Sequence, residues 1–317
     1  MGKADTVTKA YMRENTVFAD AFNFLIYGGK KVIEPENLKE LDTTEIAMPF
    51  GDAATEGAVQ KCRDILKSAV VMQDETASYI LLGIENQTDV HYAMPVRNAI
   101  YDALQYGKQV SEIAERHRNE TGRKHRKSEY LSGFHKDDKI TPVITVVVHF
   151  GANKWDGPKS LHEMMEVPNR ELLEFIPDYK IHLIDPAQLT PNDLNQFETS
   201  LREVMGYIKY SKDKEKLAAF LNDNADEWIE VNAARVIKTI TRTPIEIPEG
   251  AEVINMCEAI EAMMKDSKEV GKTEGIMEGT IKTLVGLVKD GLLSVKDAAA
   301  RLDMTESRFE AVMKKMG

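Results

Sequence analysis

The chain has 317 residues, 43% of them hydrophobic, and carries 52 acidic against 41 basic side chains for a formal net charge of −11. That length allows one large or two ordinary globular domains, and the acidic balance excludes passive whole-surface attraction to nucleic acid, leaving only a localised basic track. No apolar run is long enough to span a membrane, the first fifteen residues lack a secretory apolar core, and the two cysteines, Cys62 and Cys257, argue for reduced thiols in a cytoplasmic protein and against a zinc site.

Taken in order, residues 14–27 read as a helix, with Val17, Phe18, Ala21, Phe22, Leu25 and Ile26 at helical spacing and Gly28–Gly29 as the stop. Asp20 lies off that apolar stripe. Three short strands are expected over 31–33, 38–41 and 45–50, the last as the first strand of a central sheet.

Residues 62–73 and 78–86 form two strand-like runs separated by a short polar loop at 74–76, so a hairpin is expected. Asp64 sits on the first run, with Glu85 and Gln87 on the second, two apart and therefore on one face. If the strands pair about the loop, Asp64 and Glu85 meet near one end of the hairpin. Two converging carboxylates repel unless a proton or divalent cation lies between them, and oxygen ligands from two acids plus water suit magnesium.

A long amphipathic helix follows over 92–118, with Pro95 in its first turn. Val96, Ile100, Ala103 and Leu104 make its expected buried stripe. Arg97, Tyr101 and Gln105 recur at i, i+4 and i+8, one residue round, where a row of side chains borders the core. The run 116–127 holds Arg116, Arg118, Arg123, Lys124, Arg126 and Lys127 against one acid, Glu120. It is either a solvated loop or a track for phosphates, which lysines and arginines position without reading bases.

Residues 140–150 are nearly all β-branched and predict a strand buried on both faces, central in a helix-covered sheet. A turn-rich loop with Trp155 and Asp156, a short helix at 160–165 and a last strand at 180–185 complete this part. Beyond residue 191 the pattern is helical, over 194–208, 212–221, 228–241 and 253–268, with Gly271, Gly275 and Gly279 at four-residue intervals. The tail, 292–316, has the spacing of a helix-turn-helix. Its second helix offers Arg308 between Glu306 and Glu310, which favours packing, or assembly into a homo-oligomer, over base reading.

Four phrases, VFADAFNFLI, RDILKSAVV, LLGIENQTDVHYAMPVRNAIYDALQY and ITPVITVVVHFGANKWDGPKSLHEMM, give the chain a resemblance to the PD-(D/E)XK nuclease core, and more narrowly to the Rpn family of recombination-promoting nucleases or candidate transposases of bacteria. The resemblance spans roughly residues 15–185. It implies an α/β fold with a mixed central sheet flanked by helices over 1–190, followed by a mostly helical region over 191–317. It implies metal-dependent hydrolysis of DNA phosphodiesters, with Asp64, Glu85 and Gln87 catalytic and Mg²⁺ or Mn²⁺ held by Asp64 and Glu85. An acid on the early helix joins the metal site in the family, a role for Asp20 to set beside that of a solvated carboxylate. The helix after the catalytic strand adds polar residues, which implicates Arg97, Tyr101 and Gln105 in contacts to DNA. Where the family pattern carries a lysine this chain has Gln87, which keeps a donor and an acceptor but removes a charge. Two alternatives stand beside cleavage: a non-catalytic binding module on the same fold, and a transposase performing strand transfer.

Overall fold

A computed structural model describes residues 2–42, 44–47, 59–62, 64–73, 76–119, 132–167, 169–223, 228–256, 277 and 279–315. The chain divides after Met256 into two compact units. Five strands build the sheet of the first: β1 (Lys39–Glu40), β4 (Ile65–Gln73), β5 (Thr76–Gln87), β6 (Val143–His149) and β7 (His182–Ile184), in the order β1-β4-β5-β6-β7. The pairs β1/β4 and β4/β5 are antiparallel, while β5/β6 and β6/β7 are parallel. The chain is thus a mixed α/β protein. Parallel β5 and β6 are joined through α3 (Met94–Asn119), the helical crossover such a pair requires. Val146, Val147 and Val148 of β6 are fully buried, as a near-continuous β-branched run predicts for a covered central strand.

Helices α1 (Lys3–Met12) and α2 (Asn15–Tyr27) lie against β4 through an unusual anchor. Lys67 of β4 is 1% exposed, and its ammonium donates to the Arg13 carbonyl at 2.5 Å and to Asn15 Oδ1 at 2.6 Å, 4.8 Å from the Phe18 ring centre. Burial pulls its pKa below the usual lysine range, with Glu40 opposing that pull. Lys67 pairs with Leu82, three residues from Glu85, so alternation puts Lys67 and Glu85 on opposite faces of the sheet. The α1–α2 corner therefore covers one face. On the other lies α3, whose Asp102 accepts a 2.6 Å hydrogen bond from Thr145 of β6.

The buried face of α3 differs from the expected apolar stripe. Val96 and Ala103 are exposed, whereas Asn98, Tyr101, Asp102 and Gln105 are buried. Asp102 is inside because it has polar partners, accepting from the Tyr179 hydroxyl as well as from Thr145, and the half-buried Tyr106 and Gln109 beside it bond the backbone of residues 141–143.

Further differences concern short elements. Residues 44–47 form β2 (Thr44–Ala47), which pairs with β3 (Val59–Cys62) in a separate ribbon and is not the first strand of the sheet. That place belongs to β1. Residues 228–230 are β8 (Trp228–Glu230) and not a helix start. They pair with β9 (Val253–Asn255), within a stretch where helical spacing predicts a helix. Three-residue strands carry no periodicity to distinguish them from a helical turn. Residues 257–268 of that expected helix, and Gly271 and Gly275, lie outside the described residues.

The change of pattern near residue 190 falls inside the first unit. Helices α4 (Leu201–Tyr210), α5 (Lys214–Asn222) and α6 (Val231–Thr241) follow, and α6 packs on α1. Tyr11 meets Ser200 at 3.0 Å in the interior, and Asn232 donates to Glu14 at 2.6 Å. In the second unit, a helix over 279–289, here α7, packs with α8 (Val295–Ala300) and α9 (Glu306–Lys315) around Leu284, Val285, Ala298, Ala299 and Phe309. Ser294 caps α8 by accepting the Asp297 amide, and Glu306, Arg308 and Glu310 are exposed on α9. Among the described residues no helix is long and apolar enough to cross a membrane.

Asp20 joins α2 to the start of α4. Its carboxylate accepts the Glu198 amide at 3.1 Å, the Thr199 amide at 2.9 Å and the Thr199 hydroxyl at 2.6 Å. Asp20→Ala leaves two partly buried amides without their acceptor and is expected to cost about 1–2 kcal/mol, readable as a lower urea midpoint.

Candidate functional site

The hairpin register places Ile65 opposite Ile84, so Asp64, one residue before β4, falls opposite Glu85 of β5. The backbone holds the two acids there. The Asp64 amide donates to Glu85 Oε1 at 3.3 Å, and the Asn86 amide donates to Asp64 Oδ2 at 2.8 Å. Glu85 is fully buried, and two carboxylates so placed need compensating positive charge.

Two cations supply it from opposite faces of the sheet. Lys9 of α1 lies 2.8 Å from Asp64 Oδ1, and Arg97 of α3 lies 2.9 Å from Glu85 Oε2. Burial opposes the charge on Lys9, but its hydrogen bond and attraction to Asp64 prevail, and its pKa is raised above the usual lysine range. Burial likewise opposes the charge on Arg97, and Glu85, Tyr101 and Asp64 together outweigh it, so its pKa is raised. The Arg97 guanidinium sits 5.6 Å from the Tyr101 ring centre, and burial, followed by the charge of Glu85, pushes the Tyr101 phenol upward.

The structure therefore brings together Asp64, Glu85, Arg97 and Tyr101. Gln87, the last residue of β5, stays on the face of Glu85 and pairs with His149. Gln105 is buried one helical turn beyond Tyr101 on α3. Asp20 is not part of this group, because both its oxygens are engaged by residues 198–199. Arg116 and Arg118 are exposed in the last turn of α3, while Arg123, Lys124, Arg126 and Lys127 lie outside the described residues.

Lys9 is the site residue that sequence reading missed. Thr8, Tyr11 and Met12 are its buried neighbours in α1, and their spacing marks a helix, but nothing in residues 3–12 marks the lysine. Only the tertiary path of the α1–α2 corner carries it to Asp64.

Two carboxylates with oxygens converging from adjacent strands are a donor set suited to a hard divalent cation. Each of the four oxygens already has a backbone amide or a cationic nitrogen within 3.3 Å, the Arg97 contact to Glu85 Oε2 being an ion pair without hydrogen-bond alignment. A metal ion would share Asp64 and Glu85 with Lys9 and Arg97 or take over part of their charge balance.

A family model described as "Putative transposase, YhgA-like" matches residues 59–234, more than half of the chain. The chain belongs to this family, of the Rpn and PD-(D/E)XK type. The match starts after α2 and runs into α6, so it takes in helices beyond the reach of the resemblance read from the sequence. Neither the curated proteins nor the solved structures contain a match to the chain.

Two outcomes are expected from the charge balance. Arg97→Met leaves Glu85 buried against a weaker positive field and costs about 3 kcal/mol, and the loss shrinks in Glu85→Gln/Arg97→Met, as a double-mutant cycle on denaturant midpoints measures. The raised pKa of Lys9 means that its contribution is complete below the ordinary lysine value and is lost as pH climbs through the elevated one. The stability gap between wild type and Lys9→Met therefore closes in strongly alkaline buffer.

Proposed function

We propose that the chain hydrolyses phosphodiester bonds of DNA in a reaction that depends on Mg²⁺ or Mn²⁺ and serves recombination or mobile elements. The observation that carries this reading is the meeting of Asp64 and Glu85 across the hairpin, each within hydrogen-bond distance of a cation. Family membership supports the link to mobile DNA.

Asp64 and Glu85 would hold the ion. When bound, it polarises the scissile phosphate and lowers the pKa of the attacking water. Gln87 stands where the family pattern carries a lysine, and its amide orients by hydrogen bonds without contributing charge. Lys9 supplies the missing charge from another element, with its ammonium on Asp64. Arg97 holds buried Glu85 in position through its ion pair. The exposed Arg116 and Arg118, with Arg123, Lys124, Arg126 and Lys127 next in sequence, provide a phosphate track on an otherwise acidic chain.

A non-catalytic DNA-binding module is the second reading, favoured by one observation: a backbone amide or a cationic nitrogen already lies within 3.3 Å of each of the four carboxylate oxygens. Cleavage of supercoiled plasmid separates the two. The nuclease reading expects cleavage with Mg²⁺ and none with EDTA, a loss of about a thousandfold in Glu85→Ala and about a hundredfold in Lys9→Met. Wild-type protein that binds DNA yet leaves it intact under Mg²⁺ and Mn²⁺ would establish the module. Activity undiminished in Glu85→Ala would remove the site from the chemistry.

A further inference from the structure

A second cluster of ligating side chains lies apart from the two acids and takes no part in the proposed chemistry. His117 is in the last turn of α3, and His135 and Asp138 are in the loop that leads to β6. The imidazole Nε2 of His117 is 2.9 and 3.0 Å from the two Asp138 oxygens, and Asp138 Oδ2 also accepts the His135 amide at 2.6 Å. The rings of His117 and His135 stack with centres 3.6 Å apart and planes at 19°. One ligand atom from each of the three residues lies within 4.8 Å of the others. Both histidines are buried, while Asp138 is half-buried and leaves a route in from solvent.

We propose that His117, His135 and Asp138 bind one borderline divalent cation, Zn²⁺ being the natural occupant. The donor chemistry selects the ion. Two neutral imidazoles and a carboxylate suit Zn²⁺ and its neighbours among the late first-row metals, whereas Mg²⁺ prefers oxygen throughout. This site would therefore not compete with Asp64 and Glu85 for the same ion. The scarcity of cysteine argues against zinc in the sequence, but the ligands here are of other types. Metal-bound donors about 2.0–2.2 Å from zinc stand slightly farther apart than hydrogen-bonded ones, so His117 and Asp138 need only a small separation. Nearly parallel stacked rings cannot both aim a lone pair at one ion, so the His135 ring turns out of the stack on binding.

The loop is seated for this. Gly133 has φ +66°, and a Cβ added there would come 2.8 Å from Ala114 Cβ, so the loop reaches α3 at van der Waals limits one turn before His117. An ion here would tie the end of α3 to the entrance of β6, fixing both ends of the 117–135 connection, the stretch of sequence that holds most of the basic run. Closing such a loop removes freedom from the unfolded chain.

The test uses the full chain stripped with chelator and titrated with Zn²⁺ by calorimetry, with and without excess Mg²⁺. One Zn²⁺ per chain is expected, undisturbed by Mg²⁺, with the melting temperature raised by about 5 °C. His135→Gln and Asp138→Asn should each weaken binding by about a hundredfold, while Glu85→Gln leaves it unchanged. On the unaltered chain, Co²⁺ should broaden the ring proton signals of two of the seven histidines, a readout that needs no variant to fold. Absence of binding, loss of binding in Glu85→Gln, wild-type affinity in folded His135→Gln or Asp138→Asn, or Co²⁺ broadening of no histidine would each overturn the proposal.

Discussion

Two carboxylates on facing strands set the terms for everything around them. Asp64 and Glu85 share backbone donors at one end of the hairpin, and Glu85 has no access to solvent. An ionised pair in that position is stable only with positive charge brought to it. The first unit brings one cation from each side: Arg97 by way of α3, Lys9 by way of α1. The helices on the two faces of the sheet thus cover a core and also deliver charge to the same edge.

That delivery explains two features which look costly in isolation. Lys67 is buried in a strand, where an ammonium is expensive, yet its bonds to Arg13 and Asn15 fasten the corner from which α1 departs. The corner's position determines whether Lys9 reaches Asp64. On the other face, Asn98, Tyr101, Asp102 and Gln105 turn α3 inward by a polar row. The bonds of Asp102 to Thr145 and Tyr179 fix the rotation of α3 about its axis, and with it the reach of Arg97. An apolar face would bury α3 as well but would not specify that rotation as tightly.

The sequence made the hairpin, the central strand at 143–149 and the crossover helix legible, because each is long enough to show its period. It also placed Asp64 against Glu85, since the loop length set the register. It misplaced the buried face of α3, because periodicity assigns apolar residues inward and cannot see that β6 and the loop after it present polar partners. The strand expected over 38–41 forms as the two-residue β1, whereas β8 and β9, three residues each, leave no pattern to read. Lys9 was illegible for a different reason: its role depends on a long-range path, set by Lys67 and by the packing of α6 on α1, and no local property of residues 3–12 encodes it. Asp20 had the right residue type at the right place on its helix. It faces Glu198 and Thr199 because the chain returns there, a return invisible before folding.

The same path assigns a role to the helices beyond residue 190. Tyr11 touches Ser200, Glu14 accepts from Asn232, and α6 packs on α1, so the helix bearing Lys9 is held between the sheet and α6. A family match that starts at residue 59 and continues to 234 includes Ser200, Asn232 and the first turn of α6 and leaves α1 outside. The acids and the surface that seats α1 belong to the matched region, while the lysine is contributed from outside it. The cation beside Asp64 is therefore placed by tertiary structure, through α1, Lys67 and α6 together.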